Sequence, residues 1–314
     1  MPRKIAEHHL WFLGLSIFSF ALFRLPLTSL LRVSFVDDRY TLALVIPLIS
    51  LCLVYFGRKS IFAEPRYCLA WGVPLFLLGV MFFWIMQRSV SFSDQNDYLS
   101  FAVFSLVGVW VAGFLLSYGM KALRAARFPL SFLLLMVPMP TILLDRTVSA
   151  LEIASADTTH VLLRLLGVRV DWEGFWFSLA GWHFEIAKEC SGIHSTLILF
   201  ATGILAGHLF LRSIWGKVGF SVFTVLVSIF KNAVRIVTIA WLTVYVDESF
   251  QSSWLHRKGG VVFGAFALAI LAPSLLALQH AEPYLQRKQP VPGSIEGAAT
   301  DARPDCVSPD KGVG

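Results

Sequence analysis

Charged side chains are scarce in this chain, because Asp, Glu, Lys and Arg together make up only 15% of its 314 residues. Soluble domains carry roughly 25% charged residues, so the shortage excludes a soluble globule. Hydrophobic residues make up 56% of the chain, and its mean hydropathy is +0.69. Apolar windows close to the ~20 residues needed to cross a bilayer recur along almost the whole length. The composition therefore predicts an all-α polytopic membrane protein.

The chain also lacks the cysteine and histidine patterns of metal sites. Its four cysteines stand at wide spacings without a CxxC pair, so they indicate neither a zinc site nor a disulfide framework. No pair of histidine and acidic residues has the spacing of metal ligands. We predict no metal and no cofactor.

A basic surface of the kind that binds nucleic acid is missing as well. The net charge is +6, but the cations stand in short loops between apolar spans, where they set orientation in the membrane. We therefore predict contact with membrane lipid and none with nucleic acid.

We expect about eight membrane helices, the first of them interrupted by Arg24 and Pro26. A GxxxG pattern from Gly203 to Gly207 predicts close helix packing in the sixth span. Pro138 and Pro140 predict a kink in the fifth. The expected spans are 10–31, 40–56, 68–86, 99–118, 128–144, 194–211, 218–245 and 259–279.

The loops between these spans alternate in charge. Loops that contain Lys and Arg with almost no acid alternate with loops of mixed sign. Short loops rich in Lys and Arg stay in the cytoplasm, which predicts a multi-pass protein of the cytoplasmic (inner) membrane with both termini inside. The loops at 145–193 and 246–258 then both lie outside, so a site built from them is extracytoplasmic.

The outer loop before the sixth span has a pattern of its own. Residues 146–166 space their apolar positions like an amphipathic helix at the membrane surface, closed by Gly167. The next segment is rich in aromatic and β-branched residues and has turn-like glycines at Gly174 and Gly181. It predicts a small extracytoplasmic β-hairpin or meander before the sixth span.

Cys190 is the cysteine with a polar, motif-like setting, at the expected start of the sixth span. A helix N-terminus presents unpaired N–H groups and a partial positive charge, which stabilise a thiolate. Gly192 leaves room for a substrate backbone, whereas Glu189 opposes thiolate formation unless it caps the helix or pairs with a cation. The plain alternative is an ordinary buried cysteine.

Arg235 lies inside the seventh span, where an arginine is unfavourable by at least ~2.5–3.5 kcal/mol. Asn232 and Lys231 precede it by three and four residues, so the three polar groups share one helical face. One interpretation is snorkelling toward headgroups. The other is a paired role in the bundle, in which the guanidinium stabilises a thiolate or an oxyanion.

His256 stands in the loop at the start of the last span. Its imidazole is suited to protonate a leaving amine near neutral pH, although an interfacial histidine is usually just a solvated polar residue. His194 is the rival general base, because it follows Cys190 by four residues and faces it if both lie on one helical turn.

Together these elements resemble the exosortase/archaeosortase family of polytopic membrane transpeptidases. The resemblance covers about residues 125–275 and rests on three short motifs in the family's order. These are CSGI at Cys190–Ile193, NxxRI at Asn232–Ile236 and HxxxG from His256 to Gly260.

The resemblance implies a catalytic set and a substrate class. Cys190, Arg235 and His256 would be the catalytic residues of a cysteine peptidase or transpeptidase. The substrates would be secreted proteins that end in a short motif, a hydrophobic helix and a basic tail, as PEP-CTERM proteins do, and the acceptor nucleophile is left open. The expected supporting residues are Ser191, Gly192, His194, Asn232 and Gly260.

The same interpretation divides the chain into three parts: N-terminal membrane spans at 1–127, an exosortase-like core at 128–280 and a disordered cytoplasmic tail at 281–314. Two alternatives stay open. The first is a non-enzymatic membrane subunit of an exopolysaccharide export or assembly system. The second is a transporter in which Arg235 and Lys231 bind an anion, although no inverted repeat or pair of broken helices supports it.

Overall fold

The computed structural model describes residues 2–89, 94–168, 170–179, 182–185, 191–247 and 260–287. In these ranges helices dominate, and a single small sheet interrupts them. The helices are α1 (Pro2–Leu22), α2 (Arg24–Val36), α3 (Thr41–Ile61), α4 (Leu69–Ser89), α5 (Gln95–Ala125), α6 (Arg127–Phe132), α7 (Thr141–Leu165), α8 (Ile193–Phe210), α9 (Ile214–Tyr245) and α10 (Gly260–Arg287). The strands are β1 (Val170–Glu173), β2 (Trp176–Leu179) and β3 (Trp182–Glu185).

Six of the described helices are long and apolar enough to cross a membrane, and the number rises to eight if each of two bent helix pairs counts as one span. The six are α3, α4, α5, α8, α9 and α10. The prediction of an all-α polytopic membrane protein with about eight spans is confirmed.

The first expected span, 10–31, is a bent pair rather than one straight helix. Helices α1 and α2 meet at an angle of 74°, and Phe23 is completely buried at the break. Pro26 is the third residue of α2, a position where its missing N–H has no partner inside the helix anyway. The break therefore falls just before the Arg24 and Pro26 that made this span irregular in the sequence.

The fifth expected span, 128–144, is also broken. Helix α6 passes into a 3-10 turn at Leu133–Met136, and the chain is not helical at 137–140. Pro138 and Pro140 cannot donate the hydrogen bonds that would continue a helix, and they force the preceding residues into extended backbone. The predicted kink is confirmed, and α7 begins afresh at Thr141.

A network of hydrogen bonds around Thr141 connects this break to the start of α5. The backbone N–H of Thr141 donates to Asp97 Oδ1 at 2.6 Å, and its hydroxyl donates to Asp94 Oδ2 at 2.8 Å. Asn96 Nδ2 donates to the Met139 carbonyl at 2.8 Å, and the Tyr40 hydroxyl donates to Asn96 Oδ1. Asp94 also caps α5 through the Asn96 N–H. The network satisfies the Thr141 N–H and the Met139 carbonyl, which have no helical partners because of the neighbouring prolines.

Two compact units make up the chain, the first ending at Ile142 and the second beginning at Leu143. In the first unit α5 is the central helix, with 67% of its apolar window buried, compared with 11% for α4. Helix α5 kinks at Gly119, where φ is +81°. A Cβ there would stand 2.5 Å from the carbonyl oxygen of Arg66, so only glycine admits this close backbone contact.

The second unit begins with the amphipathic helix that the sequence predicts at 146–166. Helix α7 runs to Leu165, and Gly167 closes it with φ of +74°. The N–H of Gly167 donates to the Arg164 carbonyl and that of Val168 to the Leu163 carbonyl. This left-handed closure is the expected helix stop.

The strands form a three-stranded antiparallel sheet in the order β1–β2–β3. Val170 pairs with Leu179, and Trp176 pairs with Glu185. Phe177 on β2 is buried in a cluster with residues of α7 and α9, since alternate side chains of a strand point to one face. The predicted β-hairpin insertion before the sixth span is confirmed.

Helices α8, α9 and α10 pack together around a second apolar cluster that includes Leu199, Val227 and Ala267. Gly203 of α8 lies directly against the side chain of Thr224 on α9, which confirms the close packing that the GxxxG pattern predicts. A side chain at Gly203 would prevent this approach.

The last helix continues past residue 281 to Arg287. Glu282 is 6% exposed and accepts hydrogen bonds from the N–H groups of Arg212 and Ser213, at 2.8 Å and 3.0 Å. It thereby satisfies N–H groups at the start of α9, a position that favours a negative charge. The start of the tail expected at 281 therefore belongs to the packed helix.

Two cysteines lie in the described ranges. Cys52 is free and exposed, whereas Cys68 is buried and disulfide-bonded. The cysteine spacing indicated no disulfide framework and did not predict this bond.

Candidate functional site

The start of α8 is fixed by an unusual backbone conformation at Gly192. Gly192 is the N-cap residue and has φ of +69° and ψ of +19°, in the left-handed region. Helix α8 therefore begins at Ile193. Two members of the expected catalytic set, Cys190 and His256, lie outside the described residues. The described part of the site consists of the residues that follow Cys190 and of residues of α7 and α9.

Gly192 lies against Asn232 of α9. A Cβ at Gly192 would stand 2.9 Å from Asn232 Oδ1 and 3.0 Å from its Cγ. Both the backbone angle and the close contact require glycine. The sequence interpretation gave Gly192 the task of admitting a substrate backbone, whereas the structure shows it packed on the side chain of Asn232.

Lys231 holds the same turn from the other side. It is 2% exposed, and its Nζ donates to Ser195 Oγ at 2.6 Å. Ser195 Oγ in turn donates to the Gly192 carbonyl at 2.9 Å. None of the described carboxylates stands within 4 Å of this ammonium group. A buried cation whose described partner is a hydroxyl is unfavourable unless the site uses it.

A second hydroxyl group, that of Thr196, joins the first turn of α8 to the middle of α9. Thr196 Oγ1 bonds both the Gly192 carbonyl, at 3.0 Å, and Ser228 Oγ, at 2.9 Å. Thr196 and Ser228 are both buried. The carbonyl of Gly192 therefore accepts bonds from two side chains as well as from the Thr196 N–H, and the turn is rigidly held.

Helix α7 completes the cluster. Asn232 Nδ2 donates to Ser155 Oγ at 3.1 Å, and both residues are buried. Ser191 is 2% exposed, and its hydroxyl has no hydrogen-bond partner among the residues described. An unsatisfied hydroxyl in such a site is a ready donor or acceptor for a ligand.

Arg235 lies one helical turn beyond Lys231 on α9 and is half-buried. It follows Asn232 by three positions, which corresponds to about 4.5 Å along the helix axis. The sequence predicts that Lys231, Asn232 and Arg235 share one face of the helix. In the structure Lys231 and Asn232 both contact α8. Arg235 continues that face.

His194 and Gly260 occupy ordinary helical positions. His194 is the second residue of α8 and is half-buried. That His194 faces residue 190 stays a prediction, because residue 190 lies outside the described residues and α8 itself begins only at Ile193. Gly260 is the exposed first residue of α10, and a Cβ there would meet no atom within 4 Å.

The sequence reasoning missed four hydroxyl residues of this cluster: Ser155, Ser195, Thr196 and Ser228. Serine is common in membrane helices, where its hydroxyl usually bonds the carbonyl one turn back. The signal that would have found them is position, since Ser195 follows the CSGI motif by two residues and Ser228 precedes Asn232 by four.

The arrangement combines three chemical features in a buried place. It has an ammonium group without a described acidic partner, several hydroxyl groups, and the N-terminal turn of a helix. All three stabilise negative charge. The cluster is suited to hold a thiolate, a carboxylate or the oxyanion of an acyl-transfer intermediate.

A protein-family model described as transmembrane exosortase matches residues 9–273 of the chain. The matched range contains the whole cluster from Ser155 to Arg235. Neither the comparison with curated proteins nor the comparison with solved structures finds a match.

Proposed function

Since this chain belongs to the transmembrane exosortase family, we propose that it is a membrane-embedded cysteine transpeptidase or protease. It acts on secreted proteins that end in a sorting motif, a hydrophobic helix and a basic tail, as PEP-CTERM proteins do. The cleavage takes place at the outer face of the cytoplasmic membrane. The distribution of Lys and Arg between alternate loops supports this orientation.

In the proposed reaction Cys190 is the nucleophile. Its thiolate attacks the scissile carbonyl carbon, and a C–S bond forms as the carbonyl oxygen gains negative charge. Arg235 stabilises this oxyanion. Collapse of the intermediate breaks the C–N bond, and His256 gives a proton to the departing amine. The thioester is then resolved by an acceptor amine or by water.

One observation carries the proposal: the turn that directly follows Cys190 is locked against α9 next to Arg235. Gly192 contacts Asn232, and Ser195 accepts the hydrogen bond of Lys231. Ser191 is covalently bonded to Cys190, and neighbouring Cα atoms are about 3.8 Å apart. The described turn from Ser191 to Ser195 packs on α9 beside Arg235, which supports the proposal that Cys190 and Arg235 act together.

The burial of the turn supports an acyl-transfer role over a purely structural one. Lys231 and the hydroxyl groups of Ser155, Ser195, Thr196 and Ser228 lie in or beside the turn. Buried polar groups in membrane helices mark functional sites more often than structural ones. They also make the site more polar, and a polar, electropositive surrounding stabilises a thiolate.

The test is to follow the C-terminal mass of secreted candidate substrates in a host that carries the parent protein or a variant. We expect the hydrophobic helix and basic tail to be removed by the parent and retained with Cys190→Ala. Cys52→Ala is the matched control, because Cys52 is a free, exposed thiol, and it should process normally.

If Cys190→Ala is present in the membrane at the parent's level and still processes substrate, the catalytic proposal is refuted. The non-enzymatic role in exopolysaccharide export would then take its place. The mass of any group added to the new C-terminus distinguishes transfer from hydrolysis and identifies the acceptor.

A further inference from the structure

A long apolar cavity lies in the first unit, along one face of α3. Its volume is about 650 Å³. The α3 side chains that line it run from Ala43 to Tyr55, a separation of about 18 Å at 1.5 Å per residue. Residues of α1, α2, α5 and α6 complete the wall. The hydrocarbon core of a bilayer is about 30 Å thick, so the cavity is slightly longer than one leaflet.

The two ends of the cavity differ in polarity. At the end near the start of α3 the lining is formed by apolar side chains such as Leu27, Leu30 and Ala43. At the other end it includes His9 and Tyr55. The His9 ring is held by a 2.8 Å hydrogen bond with the hydroxyl of Tyr118. The cavity therefore has the polarity of an amphipathic ligand with one long apolar part.

Two cations stand at the polar end. The Arg58 guanidinium lies 4.0 Å from the centre of the Tyr55 ring, and Arg58 also donates to the Tyr55 carbonyl. Lys59 is the next residue, and both cations are exposed. In the part of the chain that the structure covers, neither forms a salt bridge. Two exposed cations without acidic partners attract an anionic group.

We propose that this cavity binds one acyl chain of an anionic phospholipid, whose headgroup lies at Arg58 and Lys59. A transmembrane helix of a substrate needs about 30 Å of apolar length, whereas the cavity offers about 18 Å. A small free anion would leave the apolar lining empty. A single phospholipid satisfies the length, the apolar walls and the charge at one end.

The site is separate from the proposed catalytic cluster, because all of its lining residues belong to the first unit. Under the orientation predicted from the loop charges, its headgroup end faces the cytoplasmic leaflet, where anionic lipids are enriched. A bound lipid would fill space between α1, α3 and α5 that protein side chains leave open, and would stabilise the N-terminal spans.

The experiment is a lipid titration of the delipidated full-length protein, followed by native mass spectrometry. The probes are dioleoyl phosphatidylglycerol and dioleoyl phosphatidylcholine. We expect one tightly bound phosphatidylglycerol, with about thirtyfold weaker binding of phosphatidylcholine, because two cations near an anionic headgroup contribute about this factor. Arg58→Gln should remove most of the preference, whereas Arg32→Gln, a cation beyond the apolar end, should leave it unchanged.

Two further variants fill the cavity. Ser50 lies halfway along the lining and is buried, and Val54 lies one turn further on. Ser50→Phe and Val54→Phe should each weaken phosphatidylglycerol binding at least tenfold. Cys52→Phe places the same ring on the exposed side of α3 and should not change binding.

Equal binding of the two lipids by the parent protein would overturn the role of Arg58 and Lys59. Undiminished binding by both Ser50→Phe and Val54→Phe would show that the lipid sits on the outer surface, and would overturn the site itself. Neither result depends on whether Cys190 is catalytic, so the failure of this proposal and that of the proposed function are distinguishable.

Discussion

Replacing Gly192 by alanine tests the contact that locks the start of α8. At φ of +69° an L-residue is strained by roughly 1–2 kcal/mol. The new Cβ would also stand 2.9 Å from Asn232 Oδ1, and forcing an extra carbon into a packed site destabilises by typically 1–3 kcal/mol. The two effects together predict a loss of roughly 2–5 kcal/mol in the free energy of unfolding.

Gly167 provides the matched control for the backbone part of this effect. Its φ is +74°, and a Cβ there would meet no atom within 4 Å. Gly167→Ala should therefore show only the conformational strain of roughly 1–2 kcal/mol. The difference between the two variants measures the collision with Asn232.

The assay compares the unfolding of both purified variants with their ability to process substrate. We expect Gly192→Ala to displace the turn that follows Cys190 and to lower processing at least tenfold, whereas Gly167→Ala should process nearly as the parent does. Adding Asn232→Ala to Gly192→Ala should recover part of the stability, since the two residues are in contact and their effects are not additive. Equal stability and activity of Gly192→Ala and Gly167→Ala would refute the reasoning.

Lys231→Met removes a buried charge and keeps a similar side-chain volume, so the melting temperature should stay the same or rise. The loss of the hydrogen bond to Ser195 should lower substrate processing at least tenfold. Unchanged processing would contradict a role for Lys231. Glu282→Ala should destabilise the protein by about 2 kcal/mol, because two backbone N–H groups lose a charged acceptor. Thermal unfolding measures this loss against the exposed control Gln279→Ala. Equal melting temperatures of the two variants would contradict the role of Glu282 as a helix cap. The N–H of residue 96 and the hydroxyl of residue 141 lower the pKa of Asp94, so its contribution to stability is present at neutral pH and is lost on acidification below about pH 4. The stability advantage of the parent over Asp94→Asn should therefore shrink between pH 6 and pH 3, and a constant difference in thermal unfolding would contradict the assignment.

The helices and the sheet were largely predictable, because their signals are local. Apolar length identified the spans, and alternating aromatic and β-branched residues identified the strands around Phe177. The prolines at 138 and 140 marked the broken span. Their full effect was harder to foresee, since a proline in a membrane helix is often tolerated as a mild kink. Here a break became favourable because Asp94 and Asp97 offer hydrogen-bond partners to Thr141.

The contacts of the candidate site were not predictable from the pattern alone. Asn232 was singled out from its motif, but its partner Ser155 lies 77 residues away, and no local periodicity links them. Lys231 was noted as part of a polar face, yet its bond to Ser195 depends on how α8 and α9 pack. That packing depends on Gly203, whose lack of a side chain allows the two helices to approach each other closely.

The exact start of α8 shows how one residue changes a chemical argument. The sequence interpretation ran the sixth span from residue 194 and treated His194 as a neighbour of Cys190 across a helical turn. In the structure α8 begins at Ile193, after Gly192 in the left-handed conformation, so the N–H groups of its first turn have no partners inside the helix. A helix N-terminus at this turn favours a negative charge there, whereas the role of His194 stays a prediction.

The measurement that tests the central claim most directly is the mass of the purified protein after brief reaction with a substrate peptide. Acid quenching preserves a thioester, and hydroxylamine releases it. The account predicts a hydroxylamine-sensitive adduct of the N-terminal substrate fragment on the parent protein and on Cys52→Ala, and no adduct on Cys190→Ala. An adduct that persists on Cys190→Ala, or turnover of substrate without any thioester on Cys190, would contradict it.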